Sequence, residues 1–219
     1  IKLKKARVLK FCLIILILAS LVFSILVKYY KSLSQNLIIK LELEIMACIY
    51  PILIAIVCNL VWDIEEKAGN GKNIWINFNK NKIILVKILI TYFLGMLVSL
   101  FIALSISFFA QISQVRILQS ILLLSLLQLP FYIFHMLLSM KDKFQASIIL
   151  SSVETLVLIF ASNNVFDKIW TYFPLVIPLK TTEAFFTRGY LYKNPIGIVG
   201  IYSIFVWLIL LGVTKRIEI

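Results

Sequence analysis

The segment WDIEEKAGNGKNIWINFNKNKIILVK, residues 62–87, is the longest polar stretch in a chain that is otherwise mostly apolar. It lies between two runs that are each long enough to cross a bilayer. Three acidic residues come first and three lysines come last. This order suits a short helix on a membrane surface, because carboxylates are stabilised near a helix N-terminus and cations near its C-terminus. The segment therefore predicts a membrane protein that meets a cytoplasmic partner through this loop.

The composition around this segment predicts a helical membrane protein. Of the 219 residues, 62% are hydrophobic and 15% are charged, whereas a soluble domain is about 45–50% apolar. The apolar residues are concentrated in runs of about twenty, the length needed to cross about 30 Å of hydrocarbon. We expect an all-α, multi-pass protein of the cell membrane, with a single transmembrane domain over residues 1–219.

Six membrane spans are predicted, with both termini in the cytoplasm. They are expected at about 11–27, 45–62, 83–109, 117–139, 147–162 and 196–213. The first run is expected to be a retained span, because no small-residue cleavage site follows it. This topology puts 14 Lys and Arg residues in cytoplasmic segments and 8 in outer segments, the direction of the positive-inside rule. Within the third span, Gly95 and Ser99 have the spacing that allows close helix packing.

Residues 163–195 are apolar but interrupted. Pro174 and Pro178 lie four residues apart, which forbids one continuous undistorted helix. Neither half is long enough to cross the bilayer. We therefore expect a re-entrant segment of two short amphipathic helices in the outer leaflet. Four aromatic residues are expected at headgroup depth: Trp170, Tyr172, Tyr190 and Tyr192.

Several function classes are disfavoured. The formal charge of +12 is expected from basic residues that flank spans and face anionic lipid, and no nucleic-acid-reading motif accompanies it. Cys12, Cys48 and Cys58 fall in apolar runs without a CxxC spacing, so neither a disulfide framework nor a zinc site is expected. No HExxH, GxSxG or P-loop motif occurs, so we expect neither an enzyme nor a cofactor on this chain.

Two ionisable residues stand inside predicted spans. His135 is the only histidine, and we expect it to bond to a neighbouring helix rather than to act in catalysis. Glu154 is the only carboxylate expected well inside a span, and such a group is costly enough to suggest function. It could line a translocation path, relay protons, bind a cationic substrate or bond to a partner subunit. It could equally be structural, with local partners Ser151, Ser152 and Thr155.

Three features coincide: six spans, an acidic inner loop followed by glycine, and a broken apolar segment before the last span. Together they resemble the ABC-2 type permease subunits of ABC transporters. The loop is similar to the D-x-E, A-G and K pattern of the lantibiotic immunity permeases of Gram-positive bacteria. The matching residues are Asp63, Glu65, Glu66, Ala68, Gly69 and Lys87. The architectural resemblance covers nearly the whole chain, whereas the motif covers only the loop, and the polar residues 70–73 depart from it.

The resemblance implies a heteromeric complex. Two non-identical permease subunits would sit on two copies of an ATP-binding subunit, which would hold the ATP and Mg²⁺. Loop 63–82 would carry the coupling helix, with five residues at the interface: Asp63, Glu65, Glu66, Gly69 and Trp75. The implied function is ATP-driven expulsion of a lantibiotic or similar cationic peptide from the membrane, for immunity. The alternative is a non-transporting membrane immunity or scaffold protein that binds the peptide directly. A membrane-embedded enzyme would need polar residues clustered at one depth, and we predict no such cluster.

Overall fold

The computed structural model describes residues 35–67, 80–109, 114–140, 144–163, 167, 170–188, 197, 200–204 and 207–208, together with single positions 14, 22, 25 and 29. Every element in these ranges is helical, as the all-α prediction requires. The α-helices are α1 (Gln35–Lys67), α2 (Lys80–Phe109), α3 (Gln114–Leu127), α4 (Leu129–Ser139), α5 (Phe144–Ser162) and α6 (Ile177–Arg188). Two 3₁₀ turns, Trp170–Tyr172 and Pro174–Val176, precede α6.

Among the described residues, four helical stretches are long and apolar enough to cross a membrane, so the chain is a membrane-embedded helical protein. They are Ile39–Asp63, Lys82–Ile106, Val115–Ser139 and Phe144–Ser162. These stretches correspond to the spans predicted at 45–62, 83–109, 117–139 and 147–162. The spans predicted at 11–27 and 196–213 lie largely outside the described residues.

Helix α1 begins earlier than the sequence predicts. The sequence predicts a polar outer segment over residues 28–44 and a span from residue 45, whereas residues 35–44 form the first turns of α1 and the membrane stretch begins at Ile39. Ile39 and Leu43, one turn apart, are buried in an apolar cluster with residues of α2, α3 and α6. On the same turns, Lys40 pairs with Glu44 across 3.6 Å. Burial of the apolar residues and pairing of the charged ones together stabilise helix where charge alone suggests a loop.

The third stretch is divided and lies at the centre of the bundle. Helix α3 ends at Leu127, and α4 starts at Leu129 with Pro130 in its first turn. The break is expected, because proline has no backbone N–H and its ring clashes with the preceding turn. In the most apolar window of this stretch 72% of the residues are buried, against 28% for the window in α2. The α3–α4 span is therefore surrounded by protein, whereas α2 keeps a broad apolar face exposed.

Close packing of α2 confirms the expectation from its small residues. A methyl group added at Gly95 would overlap the Tyr132 hydroxyl of α4. One turn further along α2, the hydroxyl of Ser99 is hydrogen-bonded to the hydroxyl of Tyr50 on α1. The rings of Tyr92 and Tyr132 meet edge to face, with centroids 5.5 Å apart. The small residues thus let two tyrosines from other helices reach the surface of α2.

The two ends of the bundle are distinguishable. At one end, the start of α1 packs against the end of α2, the start of α3 and Phe186 of α6. At the other end, the Lys87 ammonium lies 4.9 Å from the centre of the Trp62 ring, so the end of α1 adjoins the start of α2. Helices α1 and α2 therefore run antiparallel, whereas the α3–α4 span runs parallel to α1, and α6 lies at the end where α1 begins.

The broken segment contains one α-helix in the described range, where two were predicted. Pro174 starts the second 3₁₀ turn, and Pro178 occupies the first turn of α6. Proline is tolerated in both positions because its missing N–H has no helical partner there. Trp170 is buried in the main apolar core, whereas Tyr172 is 81% exposed. The headgroup depth expected for both residues stays a prediction. Tyr190 and Tyr192 lie outside the described residues.

Candidate functional site

A network of ion pairs joins the beginning of α1 to α6. The Lys40 ammonium lies 2.6 Å from Glu183 Oε1 and 3.6 Å from Glu44 Oε1. Because Lys40 is followed by Glu44 one helical turn later, α1 can present both side chains to the same region. The bond from Lys40 to Glu183 links residues that are far apart in the sequence, and it fixes α6 against the first turns of α1.

Lys180 is the central cation of this network. It is only 5% exposed, and its ammonium lies 2.7 Å from Asp167 Oδ1 and 3.3 Å from Glu183 Oε2. A buried ammonium is costly unless it is paired, and two carboxylates satisfy that requirement here. Glu183 lies three residues after Lys180 on α6, so the helix itself supplies one of the two acids. Asp167 reaches the ammonium from the segment that precedes the helix.

An open cleft of about 210 Å³ lies beside these ion pairs. Its walls combine charged side chains with an indole and a hydroxyl. The lining residues are Asp167, Trp170, Lys180, Glu183, Ala184, Thr187 and Arg188. The cleft therefore has both acidic and basic groups within reach of a small polar ligand.

A second polar site is completely enclosed between α4 and α5. His135 Nε2 lies 2.9 Å from Glu154 Oε2, and His135 Nδ1 lies 3.0 Å from the Ser147 hydroxyl. His135 and Ser147 are 0% exposed and Glu154 is 2% exposed. Helix α5 presents both Ser147 and Glu154 to His135 because these two residues lie on its buried face, together with Ser151. The Ser139 hydroxyl donates to the His135 backbone carbonyl at 2.7 Å.

These three side chains form the constellation of a serine nucleophile, a histidine base and a carboxylate, which the sequence did not predict as a cluster. A nucleophile must reach a substrate, and the Ser147 hydroxyl is fully buried against protein. The arrangement instead satisfies the hydrogen-bonding groups of both helices in an apolar setting. The prediction that His135 bonds to a neighbouring helix is confirmed.

Glu154 bonds to His135, and not to the local residues suggested for a structural role. The hydroxyls of Ser151 and Ser152 donate to the backbone carbonyl of Ile148. The Thr155 hydroxyl donates to the Cys48 carbonyl of α1 at 2.8 Å. Cys48 directly follows Ala47, whose carbonyl has no helical donor because Pro51 lacks a backbone N–H. Glu154 therefore bonds across to α4, and Thr155 bonds across to α1.

The predicted coupling residues divide between described and undescribed parts of the chain. Asp63 is half-buried at the end of the first membrane stretch. Glu65 and Glu66 lie in the last turn of α1, which continues to Lys67. Gly69 and Trp75 lie outside the described residues.

Sequence reasoning missed one buried carboxylate. Glu42, which was assigned to the outer segment, is 2% exposed on α1, so Glu154 is not alone within the membrane stretches. Among the described residues, Glu42 Oε2 has no hydrogen-bond partner. The signal available was the helical spacing of Ile39, Leu43 and Ala47, which puts Glu42 beside a buried stripe. In the described part of the chain, no group of three His, Cys, Asp or Glu residues could hold a metal ion.

Comparisons of the chain with protein-family models, with curated proteins and with solved structures find no match.

Proposed function

We propose that the chain is a membrane-spanning permease subunit of an ATP-driven ABC exporter, which expels a lantibiotic or similar cationic peptide from the cell membrane for immunity. The observation that carries this proposal is the extension of α1 beyond its membrane stretch, at the end that we expect to face the cytoplasm. Helix α1 continues past the membrane stretch, which ends at Asp63, and stops at Lys67. This extension is about one helical turn long, and it carries Glu65 and Glu66.

The contact between α1 and α2 supports the same proposal. The contact between Trp62 and Lys87 holds the end of α1 beside the start of α2. Residues 68–79 therefore connect two adjacent helix ends, and both of those ends are fixed in the bundle. A force that a bound ATPase applies to the residues between these helix ends would therefore act on both membrane helices. Charged groups near an interface set its orientation, and a buried tryptophan can anchor it.

The opposite end of the bundle supports a role in releasing the peptide. The ion pairs of Lys40, Lys180 and Glu183 lie where α1 begins, whereas the acidic turn lies where α1 ends. One helix thus connects the proposed ATPase contact with a polar cleft on the other face. The complex would contain two copies of the ATP-binding subunit, a second, non-identical permease and the peptide substrate, and it would sit in membrane lipid.

The second candidate function is a non-transporting immunity or scaffold protein that binds the peptide directly. The cleft beside α6 favours it, because Asp167 and Glu183 could receive basic groups of a peptide. Protection by such a protein would not depend on an ATPase, and this requirement separates the two functions.

The coupling assignment is tested by Glu66→Lys and Trp75→Ala in cells that carry the complete transport system. We expect both variants to insert into the membrane but to lose protection against a panel of cationic peptides. Matched controls at the opposite end are Arg116→Glu, which reverses an exposed charge, and Tyr172→Ala, which removes an exposed aromatic ring. Both controls should keep protection. Wild-type protection in both test variants would remove the coupling role from the loop.

A further inference from the structure

The cleft beside α6 presents charges of both signs that do not all neutralise one another. Lys180 is held between Asp167 and Glu183, and Glu183 also pairs with Lys40. Arg188 lies at the last residue of α6, is exposed, and has no ion pair with any described residue. Asp167 is 53% exposed, and its contact with Lys180 is through Oδ1. The cleft thus keeps one accessible cation and one accessible carboxylate.

The cleft lies at the end of the bundle where the first membrane stretch begins. Lys40, which bonds to Glu183, comes one residue after Ile39, where the first membrane stretch begins. Tyr172, which follows the lining residue Trp170 by two positions, is 81% exposed. Exposed tyrosines and paired charges are typical of the zone of lipid headgroups. A lipid headgroup is therefore the ligand that we expect at this cleft.

The lining favours a zwitterion. Asp167 and Glu183 offset the charges of Lys180 and Arg188, so a ligand with a net charge of either sign would meet repulsion as well as attraction. A guanidinium binds phosphate through two parallel hydrogen bonds, and a carboxylate accepts hydrogen bonds from a primary ammonium. The cleft is also far larger than a site for a single water or ion.

We propose that this cleft binds the headgroup of phosphatidylethanolamine, with the phosphate against Arg188 and the primary ammonium against Asp167. A choline headgroup carries the same charges but has no N–H to donate, so it loses the bond to Asp167. A phosphatidylglycerol headgroup brings a net negative charge to a cleft that already holds two carboxylates. A polycationic peptide could place one basic group against Asp167, but its further cations would be repelled by Lys180 and Arg188.

The test is native mass spectrometry of the delipidated full-length chain in detergent, titrated separately with phosphatidylethanolamine, phosphatidylcholine and phosphatidylglycerol. We expect the ethanolamine lipid to bind about tenfold more tightly than the other two, the change produced by about one charge-assisted hydrogen bond. Arg188→Gln and Asp167→Asn should each reduce its binding by about tenfold. Arg116→Gln removes an exposed guanidinium at the same end of the bundle, and it should leave binding unchanged.

Competition with soluble compounds shows whether the cleft recognises the phosphoethanolamine headgroup or phosphate alone. Phosphoethanolamine should displace the bound lipid, whereas inorganic phosphate should not, because it lacks the ammonium. The three lipids binding equally to the wild-type chain, or an equal loss in the Arg116→Gln variant, would overturn the proposal. Preference for phosphatidylglycerol, or displacement by a cationic peptide but not by phosphoethanolamine, would also overturn it. The wild-type ranking of lipids remains decisive if a variant fails to fold, and the experiment requires no ATPase.

Discussion

Replacing Glu154 with Leu removes the carboxylate that bonds to His135 and leaves His135 Nε2 without that partner in a fully buried position. An unpaired buried polar group costs about 1–3 kcal/mol. Hydrogen bonds between membrane helices contribute about 0.6 kcal/mol on average, because the unfolded chain in a micelle also finds partners. Because Ser147 still bonds to the other ring nitrogen, we expect a loss of about 1–2 kcal/mol.

The assay is reversible unfolding in mixed micelles, followed by circular dichroism. Glu154→Gln keeps a hydrogen-bonding group of the same size, and it should cost less than about 0.5 kcal/mol. The double variant His135→Leu/Glu154→Leu should be more stable than the sum of the single losses predicts, by about 1 kcal/mol. The interpretation of the pair as an interhelical bond would be refuted if Glu154→Leu left the free energy of unfolding unchanged. Strictly additive losses in the double variant would refute it too. Because Glu154→Gln preserves the fold, its transport activity then tests the predicted translocation role separately.

Two further substitutions test the packing of the bundle. Gly95→Ala should destabilise the protein by about 1–3 kcal/mol, because its methyl group overlaps the Tyr132 hydroxyl. The double variant Gly95→Ala/Tyr132→Phe should recover part of the lost free energy of unfolding. Equal losses in the single and double variants would contradict the contact. Thr155→Val should cost about 0.5–1.5 kcal/mol in the same assay, because it removes the bond to the Cys48 carbonyl. Ser152→Ala, whose hydroxyl is exposed, is the matched control and should be neutral; equal effects of the two would contradict a role for the bond between helices.

The long helices could be predicted from the sequence because hydrophobic length is a local property. Helix α2 was predicted from residue 83 and begins at Lys80, since its apolar run has few interruptions. The start of α1 could not be predicted in this way. Glu42 lies inside the helix because Ile39 and Leu43 pack against distant parts of the chain. Contacts of that kind depend on which helices become neighbours, and hydropathy contains no such information.

The polar sites show a similar division. His135 and Glu154 were each singled out, but their pairing was not predicted. His135 lies four residues before the end of α4, and Ser147 lies three residues after the start of α5. An antiparallel helical hairpin brings such positions together, whereas Glu154 lies ten residues after the start of α5. The bond of His135 to Ser147 could therefore have been inferred from the sequence. The bond of Lys40 to Glu183 could not, because nothing local in the sequence relates α1 to α6.

The most direct test of the central claim is affinity purification of the chain from its native membranes in mild detergent, followed by mass spectrometry of the proteins recovered with it. A permease subunit should bring down a soluble protein with a P-loop and a second multi-span protein, and recovery of the P-loop protein should fall in the Glu66→Lys variant. Recovery of the chain without an ATPase, repeated after crosslinking in the membrane, would contradict an ATP-driven exporter. It would favour the non-transporting immunity or scaffold protein.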